Sequence, residues 1–188
     1  MNRSLLVVVI FILCYVASPT KSSAADKCSD KLLLDGADSV MVYGMDTTNH
    51  WWAITKPFTG KYRLFVDGKP TINVYEQFRP PVFSPDGEHW AAYGYRTTGW
   101  EVITDDTIIN TNASEAGEIT FGQSSAMVYS YFDGDIETII FGKKRYFAQE
   151  RRSKIYISYD GSVISYVCSR LGGQFLRTNG KDDTQFDE

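Results

Sequence analysis

Arg79-Pro80-Pro81-Val82-Phe83-Ser84-Pro85-Asp86-Gly87-Glu88-His89-Trp90-Ala91-Ala92-Tyr93 reads as two β runs about a reversal. The first run ends at Phe83 and the second spans Trp90 to Tyr93. Between them, Ser-Pro-Asp-Gly is turn chemistry: Pro pre-sets its own φ, Asp bonds its own backbone, and Gly tolerates positive φ. The second run is apolar at successive positions, not alternate ones, which predicts a strand covered on both faces.

The same run recurs on either side. His50-Trp51-Trp52-Ala53-Ile54, His89 to Tyr93, Ser125-Ala126-Met127-Val128-Tyr129 and Ser162-Val163-Ile164-Ser165-Tyr166 begin 39, 36 and 37 residues apart. Turns precede three of them, at Phe83 to Gly87, Phe121 to Ser124 and Ile157 to Gly161, and Tyr43 to Asp46 holds the corresponding place before the first. A further β unit follows each run: Tyr62 to Gly68, Trp100 to Asp106, Ile136 to Gly142 and Phe175 to Gly180. An extra copy, Leu32-Leu33-Leu34-Asp35-Gly36, stands alone upstream. Tyr, Trp, Val, Ile and Thr fill the runs, and Asp-Gly and Asn-Gly join them, the mark of short strands and hairpins.

The chain is therefore expected to be all-β. Four-stranded repeats of roughly 40 residues characterise propellers, whose blades cannot bury their faces alone. A two-sheet sandwich would not explain the fixed spacing. The expected architecture is a small β-propeller of about four blades, each of three to four antiparallel strands. The N-terminal strand from Leu32 to Gly36 is expected to complete the last blade.

With Gly99-Trp100-Glu101-Val102 after it, the stretch from Arg79 to Tyr93 resembles the TolB-like (WD-repeat-like) β-propeller repeat. That repeat runs through an apolar strand, Phe-Ser-Pro-Asp-Gly, a strand ending in Ala-Tyr or Ala-Phe, and a Trp-centred strand. The match is close here, partial over 150–180, and weak at 40–70 and 115–145, where Pro-Asp-Gly is missing. The resemblance implies a propeller fold, usually exported and often a binding platform. Its motif is a folding signature with no catalytic residues to transfer.

Residues 1–25 read as a secretory signal. Arg3 gives the positive start, Leu5 to Ala17 is a 13-residue apolar run, Pro19 follows, and Ser23-Ala24-Ala25 offers small residues for cleavage. A helix of that length rises about 20 Å, short of a hydrocarbon core of about 30 Å, so no stable membrane span is expected after cleavage. The domain is then 26–188, secreted or periplasmic. Cleavage removes two cations and no acid, which takes the net charge from −4 to −6. Cys28 and Cys168 remain, and in an oxidising compartment they are expected to form one disulfide.

A pI near 5.2 argues against nucleic acid as a partner. His50 and His89 occupy equivalent places before a Trp and read as strand-end residues, too few for a zinc site. The acids fall in turns. Asp133-Gly134-Asp135 with Glu137 lacks the ligand spacing of a twelve-residue calcium loop. No cofactor and no metal are expected. Trp51, Trp52, Trp90 and Trp100 read as core by their repeat positions. The local basic run Lys143, Lys144, Arg145, Arg151, Arg152 and Lys154, with Tyr146 and Phe147 inside it, is the candidate partner-binding feature. It also suits, and suits better, an outer strand protected by charge, or one neutralised by the acidic tail from Asp182 to Glu188. Asn112-Ala113-Ser114 is a glycosylation sequon where the source is eukaryotic. The expected function is non-enzymatic binding or scaffolding toward another protein, as a monomer or homodimer. The alternatives are a secreted hydrolase or lyase with an axial carboxylate and His site, and a partial propeller serving as an assembly subunit.

Overall fold

The computed structural model describes residues 10–11, 31–32, 39–57, 60–148, 151, 154–170 and 173–186. All secondary structure among them is extended, with no helix. Strands β1 (Ile10–Phe11) and β2 (Lys31–Leu32) pair with each other. Sheet I is built from β3 (Val40–Met45), β4 (Trp51–Thr55), β5 (Arg63–Val66) and β6 (Lys69–Pro70), in chain order. In sheet II, β7 (Gln77–Phe78) and β8 (Val82–Phe83) both lie on β9 (Trp90–Arg96), followed by β10 (Gly99–Thr104) and β11 (Ile108–Ala113). Sheet III runs β12 (Glu115–Phe121), β13 (Met127–Asp133), β14 (Ile136–Phe141), β15 (Lys144–Ala148). Sheet IV runs β16 (Tyr156–Ile157), β17 (Ile164–Arg170), β18 (Gly173–Thr178), β19 (Lys181–Phe186). Four antiparallel meanders thus follow one another, one per sequence repeat. β7 and β8 share the place of a single first strand because Pro80 and Pro81, between them, offer no N–H to the ladder.

Of the N-terminal strand expected to complete the last blade, Leu32 to Gly36, all but Leu32 lies outside the described residues; Lys31–Leu32 pairs with Ile10–Phe11, and sheet IV takes a fourth strand from Lys181–Phe186. Asn179 (φ 50°) and Gly180 (φ 79°) are both left-handed, which gives the tight hairpin that folds this charged segment back onto β18.

The chain divides into two compact units, Met1–Gly44 with Trp51–Val74, and Met45–His50 with Tyr75–Glu188. In the first, Ala53 and Leu64 are fully buried, and the Trp52 ring lies so close to Gly44 that a Cβ there would stand 2.8 Å from it. In the second, sheets II, III and IV pack in series. Ala91, Tyr93, Trp100 and Val102 of sheet II meet Ala116 and Tyr129 of sheet III. Val128, Ile139 and Ala148 of sheet III meet Ile155, Ile164 and Tyr166 on the other side. Along β13, Met127, Tyr129 and Tyr131 join the first cluster while Val128 joins the second. That is why its apolar residues are consecutive: both faces of sheet III are covered.

Candidate interaction surface

The reversal between the first and second strands is closed by a backbone bond in all four sheets, four residues on in sheets I and III and five in sheets II and IV. Asp46 N–H donates to His50 O, Ser84 to His89, Gly122 to Ala126 and Ser158 to Val163, each at 2.9 Å. The residue that closes the inner turn is left-handed every time: Asn49 (φ 68°), Gly87 (φ 76°), Ser125 (φ 59°) and Gly161 (φ 69°). Asp or Ser side chains organise each of three loops. Asp46 Oδ1 accepts from the N–H of Thr48 and His50. Ser84 Oγ donates to Asp86 and accepts from His89 N–H, and Ser158 Oγ donates to Asp160 and accepts from Val163 N–H.

Within the second unit these turns dock in sequence. The His50 ring stacks on Phe83, 5.6 Å between centroids and 14° from parallel, and sits over Gly87. Ser125 Oγ donates to the Asp86 carboxylate. Gly161 lies against Ser124 and Ala126. The Ser125 and Ser84 hydroxyls, with Glu88 N–H, push the Asp86 carboxyl down to about 2, and Ser158 and Ser162 lower that of Asp160. Asp86 and Asp160 are therefore structural anions.

At the same end of sheet II, His89 Nδ1 stands 2.9 Å from Asp105 Oδ2. Asp105 departs from its counterparts: Asp67 and Asn179, at the equivalent turn position, use Oδ1 to accept the N–H of Trp51 and Ile164. The Asp105 hydrogen bond raises the His89 pKa. One donor atom each from His89, Asp105 and Asp106 lies within 4.8 Å of the others, all three side chains exposed. This is the one such metal-capable group among the described residues. It comes from a single sheet and is open to water, so it can share a proton or hold a divalent ion loosely through one nitrogen and two oxygens.

The basic run divides. Lys143 is on the β14–β15 turn, Lys144 and Arg145 open β15, and all three are exposed. Phe147, on the same edge strand, is 58% exposed; its carbonyl accepts Arg177 Nη1 at 2.9 Å. Lys154 is exposed, and Arg152 lies outside the described residues. Arg151 turns inward: Nε is 2.7 Å and Nη2 2.9 Å from the Glu137 carboxylate, and Nη1 is 2.8 Å from Glu118. With Glu137 only 2% exposed and held by this cation, its carboxylate is not a free calcium ligand beside Asp133 and Asp135. Asp182 pairs with Arg177.

Cys168 is buried on β17 at 3% exposure, and Cys28 lies outside the described residues. Trp100 is core, its ring packed by Tyr93 and Tyr95 and covered by the Arg79 guanidinium 5.4 Å from the ring centre. Trp51, Trp52 and Trp90 are half-buried.

The inward acids went unnoticed in the sequence. Glu101 in β10 and Glu137 in β14 are each an acid inside an apolar run, and that anomaly is their signal in the sequence. Glu101, 6% exposed, accepts from Tyr75 Oη at 2.8 Å and lies 3.5 Å from Arg96. No helix among the described residues is long and apolar enough to cross a membrane. No family model and no curated protein matches the chain.

Proposed function

We propose that the chain is an exported four-bladed β-propeller that works as a non-enzymatic binding module toward an acidic protein. The four meanders, their common inner turn and the serial docking of those turns support the propeller. The resemblance of Arg79 to Tyr93 to TolB-like repeats and the leader-like residues 1–25 support export, with Cys28 and Cys168 joined as one disulfide. The observation that carries the binding role is the strip on the edge of sheet III: Lys143, Lys144 and Arg145 exposed together beside the exposed ring of Phe147, in a chain of net charge −4. Such a strip draws acidic surfaces by long-range attraction and gives an aromatic anchor once they arrive.

The test is capture from the native secreted or envelope fraction by the full chain and by K143E/K144E/R145E, at low and at high salt. A partner held by the first, lost by the second and weakened by salt supports the reading. Equal capture by both overturns it. A second reading, a secreted hydrolase or lyase, has the His89–Asp105–Asp106 group in its favour. It requires His89→Ala to abolish a measurable hydrolysis while leaving the melting temperature unchanged.

A further inference from the structure

We infer that Asn112 is an N-glycosylation site and that its glycan shields the edge strand β11. The inference rests on the export reading above, in a eukaryotic source. Asn112-Ala113-Ser114 carries the acceptor amide and the hydroxyl two residues on that the transfer reaction requires. Downstream of residue 25 no other Asn stands two places before a Ser or Thr.

The structure displays this sequon outward. Trp100 pairs with Ala113 and Glu101 with Asn110, so Thr111 and Asn112 form a bulge with no residue opposite on β10. Asn112 is exposed and left-handed (φ 51°), a conformation Asn tolerates, and its N–H is tied to Asn110 Oδ1 at 3.0 Å. Gly99, with φ 123°, lets the bulged chain pass: a Cβ there would meet Ala113 O at 2.8 Å.

The edge explains why a glycan belongs here. The fourth strand of each sheet leaves a row of backbone groups open to pairing with another chain. Three of the four carry protection in their sequence: Lys69 and Pro70 in β6, Lys144 and Arg145 in β15, Lys181, Asp182 and Asp183 in β19. β11 reads Ile-Ile-Asn-Thr-Asn-Ala, with neither charge nor Pro, and Ile108 is 37% exposed. The unprotected strand is the one with the sequon. A glycan at its bulge supplies the bulk and hydration that charge supplies elsewhere.

The donor is a lipid-pyrophosphate-linked oligosaccharide. The bond from sugar C1 to the pyrophosphate oxygen breaks, a C1–Nδ2 bond to Asn112 forms, the amide gives up one proton, and lipid pyrophosphate leaves. In the finished fold Ser114 Oγ donates to Phe132 O at 3.2 Å, so transfer precedes closure of that contact.

The test is translation of the full chain with microsomes and its secretion from eukaryotic cells, read by peptide N-glycosidase and peptide mapping. One glycan at Asn112, absent from both N112D and S114A, is expected. A protease-protected or secreted chain without a glycan overturns the site while leaving export intact. A chain left outside the microsomes overturns export; a parallel arm with a strong cleavable leader ahead of Met1 then reads Asn112 on its own. For the shielding role, secreted S114A is expected to elute at a larger, concentration-dependent mass than the glycosylated chain, and S114A with Asn110→Lys to return to the original mass. An S114A elution identical to that of the glycosylated chain overturns that role.

Discussion

The hydroxyl of Ser125 donates a hydrogen bond to the carboxylate of Asp86, joining the inner turn of sheet III to that of sheet II. The contact links two residues that play different parts in equivalent loops. Asp86 organises its own turn through Ser84 and Glu88 N–H, while Ser125 occupies the left-handed corner of the next. A single ionised group therefore orders one loop and positions its neighbour.

The first prediction concerns acid. The Asp86 carboxyl is held at about 2 against an ordinary value of 3.8, so its ionised form favours the folded state. Because the folded value is the lower one, that contribution is complete above pH 4 and disappears as pH falls from about 4 to 2. Melting temperature measured across this window is expected to fall more steeply for the native sequence than for Asp86→Asn. Parallel curves would show that the Ser125 contact does not favour the charged form.

Turn docking makes a second prediction. Gly161 and Gly134 are both left-handed, at φ 69° and 61°. A Cβ on Gly134 meets nothing within 4 Å, whereas one on Gly161 falls 2.0 Å from Ser124 Oγ and 2.9 Å from Ala126 Cβ. Gly134→Ala is expected to cost only the backbone term, about 1–2 kcal/mol. Gly161→Ala should cost about 1–3 kcal/mol more, because it overpacks the contact between turns. Urea denaturation of the two variants reads the difference directly, and equal losses would mean that the turns do not bear on each other.

These turns also show what was legible in the sequence. The Ser-Pro-Asp-Gly loop announced itself because Pro and Gly are unambiguous turn residues. Asn49 and Ser125 fill the same left-handed corner in loops without Pro-Asp-Gly, where tertiary docking holds a conformation that the local sequence only permits. Successive apolar residues in β13 correctly implied cover on both faces. The strand Lys181–Phe186 was hidden because Lys-Asp-Asp-Thr-Gln has no β pattern; pairing with β18 and the Asn179-Gly180 hairpin create it. The basic run could be read as charge but not as direction. Arg151 and Lys144 look alike in sequence, and only the location of Glu137 and Glu118 separates a buried cation from a solvated one.

Tyr93 supplies a third prediction, on the join between sheets II and III. Its ring is 2% exposed, and its hydroxyl donates to the backbone carbonyl of Ser130 on β13. Burial raises the phenol pKa well above its usual value, so the group stays a donor throughout the ordinary pH range. Tyr93→Phe keeps the ring and deletes the bond, for an expected loss of about 0.5–1.5 kcal/mol. Tyr93→Ala also empties the cluster around Trp100 and should cost about 3–5 kcal/mol. Thermal or chemical denaturation separates the two; a Phe variant as damaging as Ala would mean that the hydroxyl, not the ring, secures this packing.

Arg151 gives the fourth. Its side chain is 13% exposed, and it bridges Glu137, at 2%, and Glu118, at 24%, while its backbone pairs with Cys168 of β17. The cation thus joins two strands of sheet III to sheet IV. Removing it strands the Glu137 charge in a dry site, and breaking a buried pair from one side costs about 3–5 kcal/mol. Arg151→Met is expected to lose that amount. Glu137→Leu combined with Arg151→Met removes both charges and should recover most of the loss, because an apolar pair of similar volume suits the same space. Arg151→Lys keeps the charge but not the two-pronged geometry, and is expected to fall between the native chain and the Met variant. If Arg151→Met proved harmless in urea denaturation, or the double variant were worse than the single, Arg151 would be a surface cation after all and would rejoin Lys143, Lys144 and Arg145 as part of the binding strip.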